Sequence, residues 1–197
     1  MAGETQNYHE TRNPIAQTAD YASITGTTTS KSIMSVTADL PGSSLVYPAG
    51  YWQAGKKWHV RMFIKMTTGA TAGNITIEIR MQTGASVTDA GGTIMATSAA
   101  VALGNAKTAA SVFMDFTVES RGAVGTTTPM FVKGFALTDP TFAVWASTVN
   151  PIFIPSNAAA AVNFDTTLAG TVNVQMKNSG ANASTYVVQD VQVNSIT

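Results

Sequence analysis

The chain has 197 residues, and only 11% of them are charged, against roughly 25% in an average globular protein. Eleven basic and eleven acidic residues give a formal net charge of zero, which argues against a nucleic-acid or anionic-membrane partner. The sequence contains no cysteine, so disulfides and thiolate chemistry are excluded. Thr, Ser, Asn, Gln and Gly replace the charged residues, a composition that suits a scaffold packed against neighbours better than a catalytic centre.

Residues 1–28 are predicted to form an N-terminal arm, and residues 29–197 one β-sandwich domain. The first segment has few large apolar residues and includes the pair Asn13-Pro14, which is typical of an extended, poorly packed chain. A polar terminus frays unless something holds it, so we expect the arm to dock on a neighbouring subunit or to fold onto its own domain. It lacks an apolar signal region, and no later stretch is long enough to span a membrane, which predicts a cytosolic origin.

From Ser30 onward, apolar and polar residues alternate with a period of two, as in strands that have one buried face. In segment 58–66 the pattern predicts a buried face and a polar face, with Phe63 as the exception on the polar side. In segment 75–82, Ile and Met residues alternate with polar ones, and we predict that the polar side is wet. Those polar residues are Thr76, Glu78, Arg80 and Gln82.

The same alternation predicts further strands at 112–119, 130–137, 142–146, 172–176 and 186–196. The Ala-rich stretches 96–110 and 158–161 are the only candidates for a short turn of helix. Some ten strands separated by Gly-, Asn- and Ser-containing turns, without alternating helices, favour an antiparallel sandwich or barrel. We expect an all-β, jelly-roll-like sandwich.

Two local patterns imitate enzyme sites. Segment 50–57 nearly fits a phosphate-binding loop, but Lys57 stands where a Ser or Thr should bind magnesium, and a strand follows instead of a helix. A glycine-shaped turn is the better interpretation. His59 lies on the polar side of a predicted strand, with no nucleophile or carboxylate placed beside it by sequence, so we expect a surface role. The carboxylates are dispersed, which predicts neither an enzyme nor a metal or other cofactor.

Six aromatic residues could form a sugar-stacking platform if several were exposed together. Trp58 and Trp145 lie in apolar contexts and are predicted to be core residues. Tyr51 and Trp52 adjoin a Pro/Gly corner, where an aromatic residue can anchor either a neighbouring subunit or a ligand. The six residues are Tyr47, Tyr51, Trp52, Trp58, Trp145 and Phe153.

Several segments resemble virion proteins of tailed bacteriophages that have a jelly-roll or related sandwich fold. The resemblance covers roughly residues 45–196 and is carried by LVYPAGYW at 45–52, AGKKWHVR at 54–61 and GNITIEIR at 73–80, and downstream by MATSA at 95–99, VFMDFTVESRG at 112–122 and VVQDVQVNSI at 187–196.

The resemblance implies a non-enzymatic homo-oligomer, a trimer or a dimer, seated on the outside of a capsid. Such a decoration or cement protein would be made in the bacterial cytoplasm and would bridge neighbouring copies of the major capsid protein. The alternative is a tail-fibre module that recognises host carbohydrate. For capsid contact we predict residues of the arm first, with two aromatic residues as secondary anchors. The arm residues are Tyr8, Arg12, Pro14, Ile15 and Tyr21, and the secondary anchors are Tyr51 and Trp52.

Overall fold

The structure, a computed structural model, describes residues 11–13, 23–34, 45–84, 89–138, 151–180 and 183–196. Within these ranges there are fourteen strands and no helix. The six long strands are β5 (Lys57–Thr67), β6 (Asn74–Thr83), β9 (Ala110–Ser120), β10 (Thr128–Thr138), β13 (Gly170–Asn178) and β14 (Thr185–Ile196). The short strands are β1 (Thr11–Asn13), β2 (Ile24–Thr25), β3 (Lys31–Ser32), β4 (Val46–Tyr47), β7 (Thr93–Thr97), β8 (Val101–Ala102), β11 (Ile152–Ile154) and β12 (Val162–Phe164).

The strands form two antiparallel sheets that pack face to face, which confirms the predicted all-β sandwich. The eight-stranded sheet has the order β1-β14-β5-β9-β10-β11, with β12 also paired to β10 and β2 to β14. The six-stranded sheet has the order β3-β13-β6-β7, with β4 paired to β13 and β8 to β6. In chain order, successive described strands change sheet after β2, β4, β5, β8, β12 and β13.

The core lies between the two sheets and is filled by the apolar residues that alternate along each strand. On β5 these are Trp58, Val60, Met62, Ile64 and Met66, all buried. They belong to the same apolar cluster as the Ile and Met residues of β6 and the valines of β13. Burial of each large apolar side chain contributes about 1.5–3 kcal/mol, so the two-residue period directly sets which face of each strand points inward.

The outer face of β6 differs from the prediction. Glu78 and Arg80 are only 7% and 8% exposed, and Gln82 is also buried, so the predicted wet face is wrong. Two segments from elsewhere in the chain are hydrogen-bonded to this face, one around Ser30 and one around Ala90. Cover by these distant segments is the physical reason for the burial.

Neither Ala-rich stretch forms a helix. The first contains the end of β7, the short strand β8 and a turn at residues 105–106, and the second is irregular. Gly104 and the Thr and Ser residues in the first stretch weaken helix propensity, while pairing of Val101 with Ile75 keeps β8 in the sheet. The predicted strand at 142–146, with Trp145, lies outside the described residues.

The described part of the arm is bonded to the sandwich. Strand β1 pairs with β14 in the register Thr11 to Ser195, and β2 pairs with Thr185 and Tyr186 of the same strand. Gly26 N donates to Ser184 O at 2.7 Å. Both arm strands therefore precede the predicted boundary at residue 28 and extend the eight-stranded sheet at its β14 edge.

Candidate interaction surfaces

The segment that imitates a phosphate-binding loop forms a corner between β4 and β5. Gly50 and Gly55 have φ angles of 71° and 85°, in the left-handed region that glycine adopts without strain. Tyr51 N donates to Pro48 O, and Lys56 N donates to Gln53 O, so two successive turns shape the corner. A strand follows instead of a helix N-terminus, as the turn interpretation predicted. We refer to residues 48–56 as the corner.

Four aromatic residues cluster beneath the corner. The rings of Trp52 and Trp58 have centroids 5.0 Å apart, and Tyr47 meets the edge of Trp52 at 5.5 Å. Such tilted and edge contacts are favourable beyond their apolar burial. Burial, with a smaller contribution from the charge of Asp165, raises the pKa of Tyr47 well above its ordinary value. The cluster is therefore a rigid hydrophobic support for the corner.

Trp52 belongs to this support and not to the surface. Its side chain is fully buried, so its ring offers no area to a partner, and we withdraw it as a secondary anchor. The preference for Trp58 as a core residue is confirmed. Because Tyr47, Trp52 and Trp58 all face the interior, the structure does not gather them into an exposed sugar-stacking platform.

Tyr51 lies at the boundary between this support and solvent. Its ring is half-buried, and its hydroxyl accepts a hydrogen bond from Trp58 Nε1 at 2.5 Å. The same hydroxyl lies 2.7 Å from Ser195 Oγ, to which it can donate its proton. Lys56 Nζ stands 4.7 Å from the ring centroid, within cation–π range. Tyr51 is thus fixed in place, half-buried, with the Lys56 ammonium over its ring.

The corner and the arm meet at Ser195. The Ser195 side chain bonds Tyr51, and the Ser195 backbone is the register partner of Thr11 in β1. The backbone of Arg12 pairs next to it, opposite Asn194. The other predicted arm contacts, Tyr8, Pro14, Ile15 and Tyr21, lie outside the described residues. Two segments that sequence analysis selected separately therefore occupy one end of one sheet.

A shallow depression opens at the same corner. It has a volume of about 370 Å³, near the lower limit for small-molecule pockets. Its lining is polar and apolar in nearly equal shares, and its volume suits one compact group such as a side chain or a single sugar ring. The lining residues are Gly50, Tyr51, Gln53, Ala54, Gly55 and Lys56.

The outer face of the eight-stranded sheet carries a group of charged residues that sequence analysis did not bring together. His59 Nε2 lies 2.6 Å from Asp115 Oδ1, and Arg61 Nε donates to Asp115 Oδ2 at 3.3 Å. All three side chains are partly exposed on an open β surface. The arrangement is a surface ion pair between Arg61 and Asp115, with His59 as a further hydrogen-bond partner of the carboxylate. The pairing of β5 with β9 places Asp115 opposite Arg61, and knowledge of that pairing would have predicted this group.

Next to these charges lies an apolar surface that we call the aromatic patch. It consists of five side chains on β5, β9, β10 and β11, and sequence analysis had singled out only two of them. Phe153 is 63% exposed and Phe63 is 44% exposed, while the other three are half-buried. The rings of Phe63 and Phe113 have centroids 5.0 Å apart. The members of the patch are Phe63, Phe113, Phe135, Leu137 and Phe153.

The opposite face of the molecule holds a buried polar network on β6. Arg80 Nη2 lies 2.7 Å from Glu78 Oε2, and Ser30 Oγ donates to the same carboxylate oxygen at 2.8 Å. Arg80 Nη1 also donates to the carbonyl of Ala90 at 2.8 Å. These bonds attach the segments around Ser30 and Ala90 to the sheet. We therefore assign the network a role in stabilising the fold.

Among the described residues, no three His, Cys, Asp or Glu side chains are grouped so that they could hold a metal ion. The described ranges also contain no helix with the length and hydrophobicity of a membrane span. The surfaces that the structure does present are the arm and corner at one end of the eight-stranded sheet and the aromatic patch on its outer face.

Comparison with known proteins found no protein-family model that matches the sequence and no curated protein that matches it significantly.

Proposed function

We propose that this protein is a non-enzymatic structural component of a tailed-bacteriophage particle. It binds the outside of the capsid as a decoration or cement protein and bridges neighbouring copies of the major capsid protein. The proposal starts from the resemblance of residues 45–196 to phage virion proteins of sandwich fold. The nearly uncharged, hydroxyl-rich composition supports it, because such surfaces suit extensive contact with other proteins.

The observation that carries the proposal furthest is the meeting of arm and corner at Ser195. Tyr51 is held there by two hydrogen bonds, so it loses little conformational freedom on binding. The backbone of the arm lies alongside on the same sheet edge. A partner can therefore contact both segments at once, and many modest contacts on an assembled shell add up to stable attachment.

Bridging requires contact with more than one subunit. We assign the predicted contacts of the arm, on both sides of β1, to a neighbouring subunit. Arg12, Pro14, Ile15 and Tyr21 remain the predicted contacts of the arm, with Tyr8 furthest along it. Trp52 is omitted because it is buried.

The test is binding to capsids of the encoding phage that lack the protein, measured by co-sedimentation and by cryo-electron microscopy of the particles. We expect the full chain to decorate the outer surface, and deletion of residues 1–22 to abolish or strongly weaken decoration. That deletion spares β2, so the remaining sheet should fold, which circular dichroism and thermal unfolding check. Full occupancy by the deletion variant would contradict the role of the arm.

Tyr51→Ala tests the corner in the same assay, and Leu168→Ala is its control. Leu168 is 50% exposed in the loop before β13 and lies outside both the corner and the arm. We expect at least a fivefold loss of occupancy for Tyr51→Ala and none for Leu168→Ala. Density on the tail instead of the head would refute the capsid assignment.

The second candidate is a tail-fibre or receptor-binding module that recognises host carbohydrate. The depression beside Tyr51 favours it, because its lining combines a half-buried aromatic ring with the polar side chains of Gln53 and Lys56, which are groups that can contact one sugar. A glycan array tests this candidate. Saturable binding that Tyr51→Ala removes without loss of folding would support it, and absence of binding across the array would count against it.

A further inference from the structure

We infer that the outer face of the eight-stranded sheet is a contact surface between two copies of this chain, with the aromatic patch of one copy packed on that of the other. This inference goes beyond the proposed function, because capsid binding through the arm and the corner does not require two copies of the chain to associate. It assigns a face and a partner that neither the arm nor the corner supplies.

Strand register makes the patch continuous. Phe63 on β5, Phe113 on β9 and Leu137 on β10 are direct cross-strand partners in one row. In the adjacent row, Phe135 on β10 is the partner of Phe153 on β11. The five side chains therefore cross four neighbouring strands without interruption, unlike the scattered apolar residues that any protein surface carries.

Exposure of this patch to water is unfavourable in an isolated copy. Monomeric proteins rarely expose a contiguous apolar area of this kind, and aromatic residues are enriched at the centres of protein interfaces. Phe153, at 63% exposed, and Phe63, at 44%, have the most area to gain from a partner. The aromatic patch has the composition of an interface centre, and the charged residues around it have that of a rim.

The face is large enough for a stable dimer. The central strands β5, β9 and β10 have 11 residues each and β14 has 12. At about 3.3 Å per residue and about 4.8 Å between strands, these four strands alone offer roughly 700 Å². A standard interface takes about 800 Å² from each partner, and β11 with Phe153 adds to the available area.

The charges on this face favour a second copy over a strongly acidic or basic partner. Both signs are present and alternate across the strands: Lys57 Nζ lies 3.7 Å from Glu119 Oε1, and Arg61 pairs with Asp115. In a two-fold contact the same surface of both copies is used, so a residue i that contacts residue j of the other copy is matched by residue j contacting residue i. A face that carries both signs can complement itself in this way, whereas a polyanion would meet Asp115 and Glu119 as well as the basic groups.

Sedimentation equilibrium of the full chain tests the inference. We expect a dimer, and we expect Phe153→Glu to raise the dimer dissociation constant at least tenfold, because it places a carboxylate in the apolar centre. Leu168→Glu is the matched control, since Leu168 is equally a large exposed side chain but lies outside this face. The control should leave the dissociation constant unchanged.

A second measurement needs no variant. If copies associate, the thermal midpoint of the wild-type chain should rise with protein concentration, and that of Phe153→Glu should not. A wild-type chain that remains monomeric up to about 100 μM, or a dimer that Phe153→Glu and Leu168→Glu weaken equally, would overturn the inference.

Capsid binding distinguishes this failure from failure of the proposed function. A monomer that still decorates capsids would refute self-association and leave the function intact. The wild-type chain could be a monomer, with its Phe153→Glu variant losing capsid binding. That result would show that this face contacts the capsid and not a second copy, and it would also overturn the inference. A dimer that does not bind capsids would support the inference and refute the function.

Discussion

Glu78 and Arg80 form an ion pair within one strand, with 2.7 Å between Oε2 and Nη2, and both side chains are about nine-tenths buried. Residues two apart on a strand point to the same side, so both project from the outer face of β6 beneath the segments around Ser30 and Ala90. The pair is the main charged element of the buried network described on that face.

Removal of one partner of this pair should be strongly destabilising. Arg80→Met would leave the Glu78 carboxylate buried without its cation, and we expect a loss of about 3 kcal/mol in the free energy of unfolding, measured by denaturant titration. Lys177→Met, at an exposed position on β13, is the control and should change that free energy by less than about 0.5 kcal/mol. Equal effects of the two substitutions would show that the network contributes nothing.

Gly170 at the start of β13 is expected to tolerate no side chain. A Cβ atom there would collide with the Gln82 carbonyl oxygen and the Tyr47 hydroxyl, and the first of these is backbone that cannot easily move. We expect Gly170→Ala to lower the free energy of unfolding by about 1–3 kcal/mol. Gly180→Ala, where a Cβ would have no neighbour within 4 Å, should be close to neutral. A neutral Gly170→Ala would mean that β4 and β13 are not packed as described.

Tyr186 predicts a loss of stability at alkaline pH. Burial raises its pKa from 10.0 to about 12, although hydrogen bonds with Asn178 and Ser184 oppose the shift. Between these two values the unfolded chain releases the proton while the folded chain keeps it, so unfolding becomes more favourable as pH rises. We expect a contribution of about 2–3 kcal/mol to be lost between pH 10 and pH 12.

The matched variant for this prediction is Tyr186→Phe. It should be less stable at neutral pH, because the bond to Asn178 Oδ1 is removed, but its stability should fall less steeply above pH 10. Thermal or denaturant unfolding of both proteins across that range measures the difference. Parallel pH profiles for the two proteins would contradict the assignment.

The group of His59, Arg61 and Asp115 should contribute little to stability. The Arg61 side chain is nearly half exposed, and exposed ion pairs are screened by water and salt. We expect Asp115→Asn to cost less than about 1 kcal/mol at low salt and still less at high salt, as measured by denaturant titration. A loss above about 2 kcal/mol that persists at high salt would show that this group is more than a surface ion pair.

Most of the fold could be predicted from the sequence because burial of one face imposes a period of two. Strands β5, β9, β10, β13 and β14 all appear where the alternation of apolar and polar residues placed them. Phe63 lies on the polar side of β5, as the pattern indicated. It is exposed there as a member of the aromatic patch.

The outer face of β6 could not be predicted in this way. Alternation identifies which face of a strand is apolar, but it carries no information about whether a distant loop covers the other face. Ser30 and Ala90 approach Glu78 and Arg80 only after the chain has folded. A buried Glu-Arg pair therefore has the same local sequence pattern as a solvated one.

The candidate surfaces were predictable only in part. The Pro/Gly corner selected both Tyr51 and Trp52 as secondary anchors, but it did not indicate that Trp52 is buried, because that burial depends on packing against Tyr47 and Trp58. The patch that joins Phe63 to Phe153 depends on the register between strands far apart in sequence. Local patterns do not contain that register.

The long ladders have a consequence for how the chain reaches its native state. Trp58 is paired with Ser195 and Ile79 with Val174, so each sheet joins an early strand to a late one. Each pairing closes a long loop of chain, and the entropy lost in that closure opposes folding before the new contacts stabilise the sheet. Two-state proteins dominated by such non-local pairings fold in milliseconds to seconds, not microseconds. Until the last strands arrive, β5 lacks its ladder partner β14 and β6 lacks its ladder partner β13, and this is the interval in which the chain is most prone to aggregate.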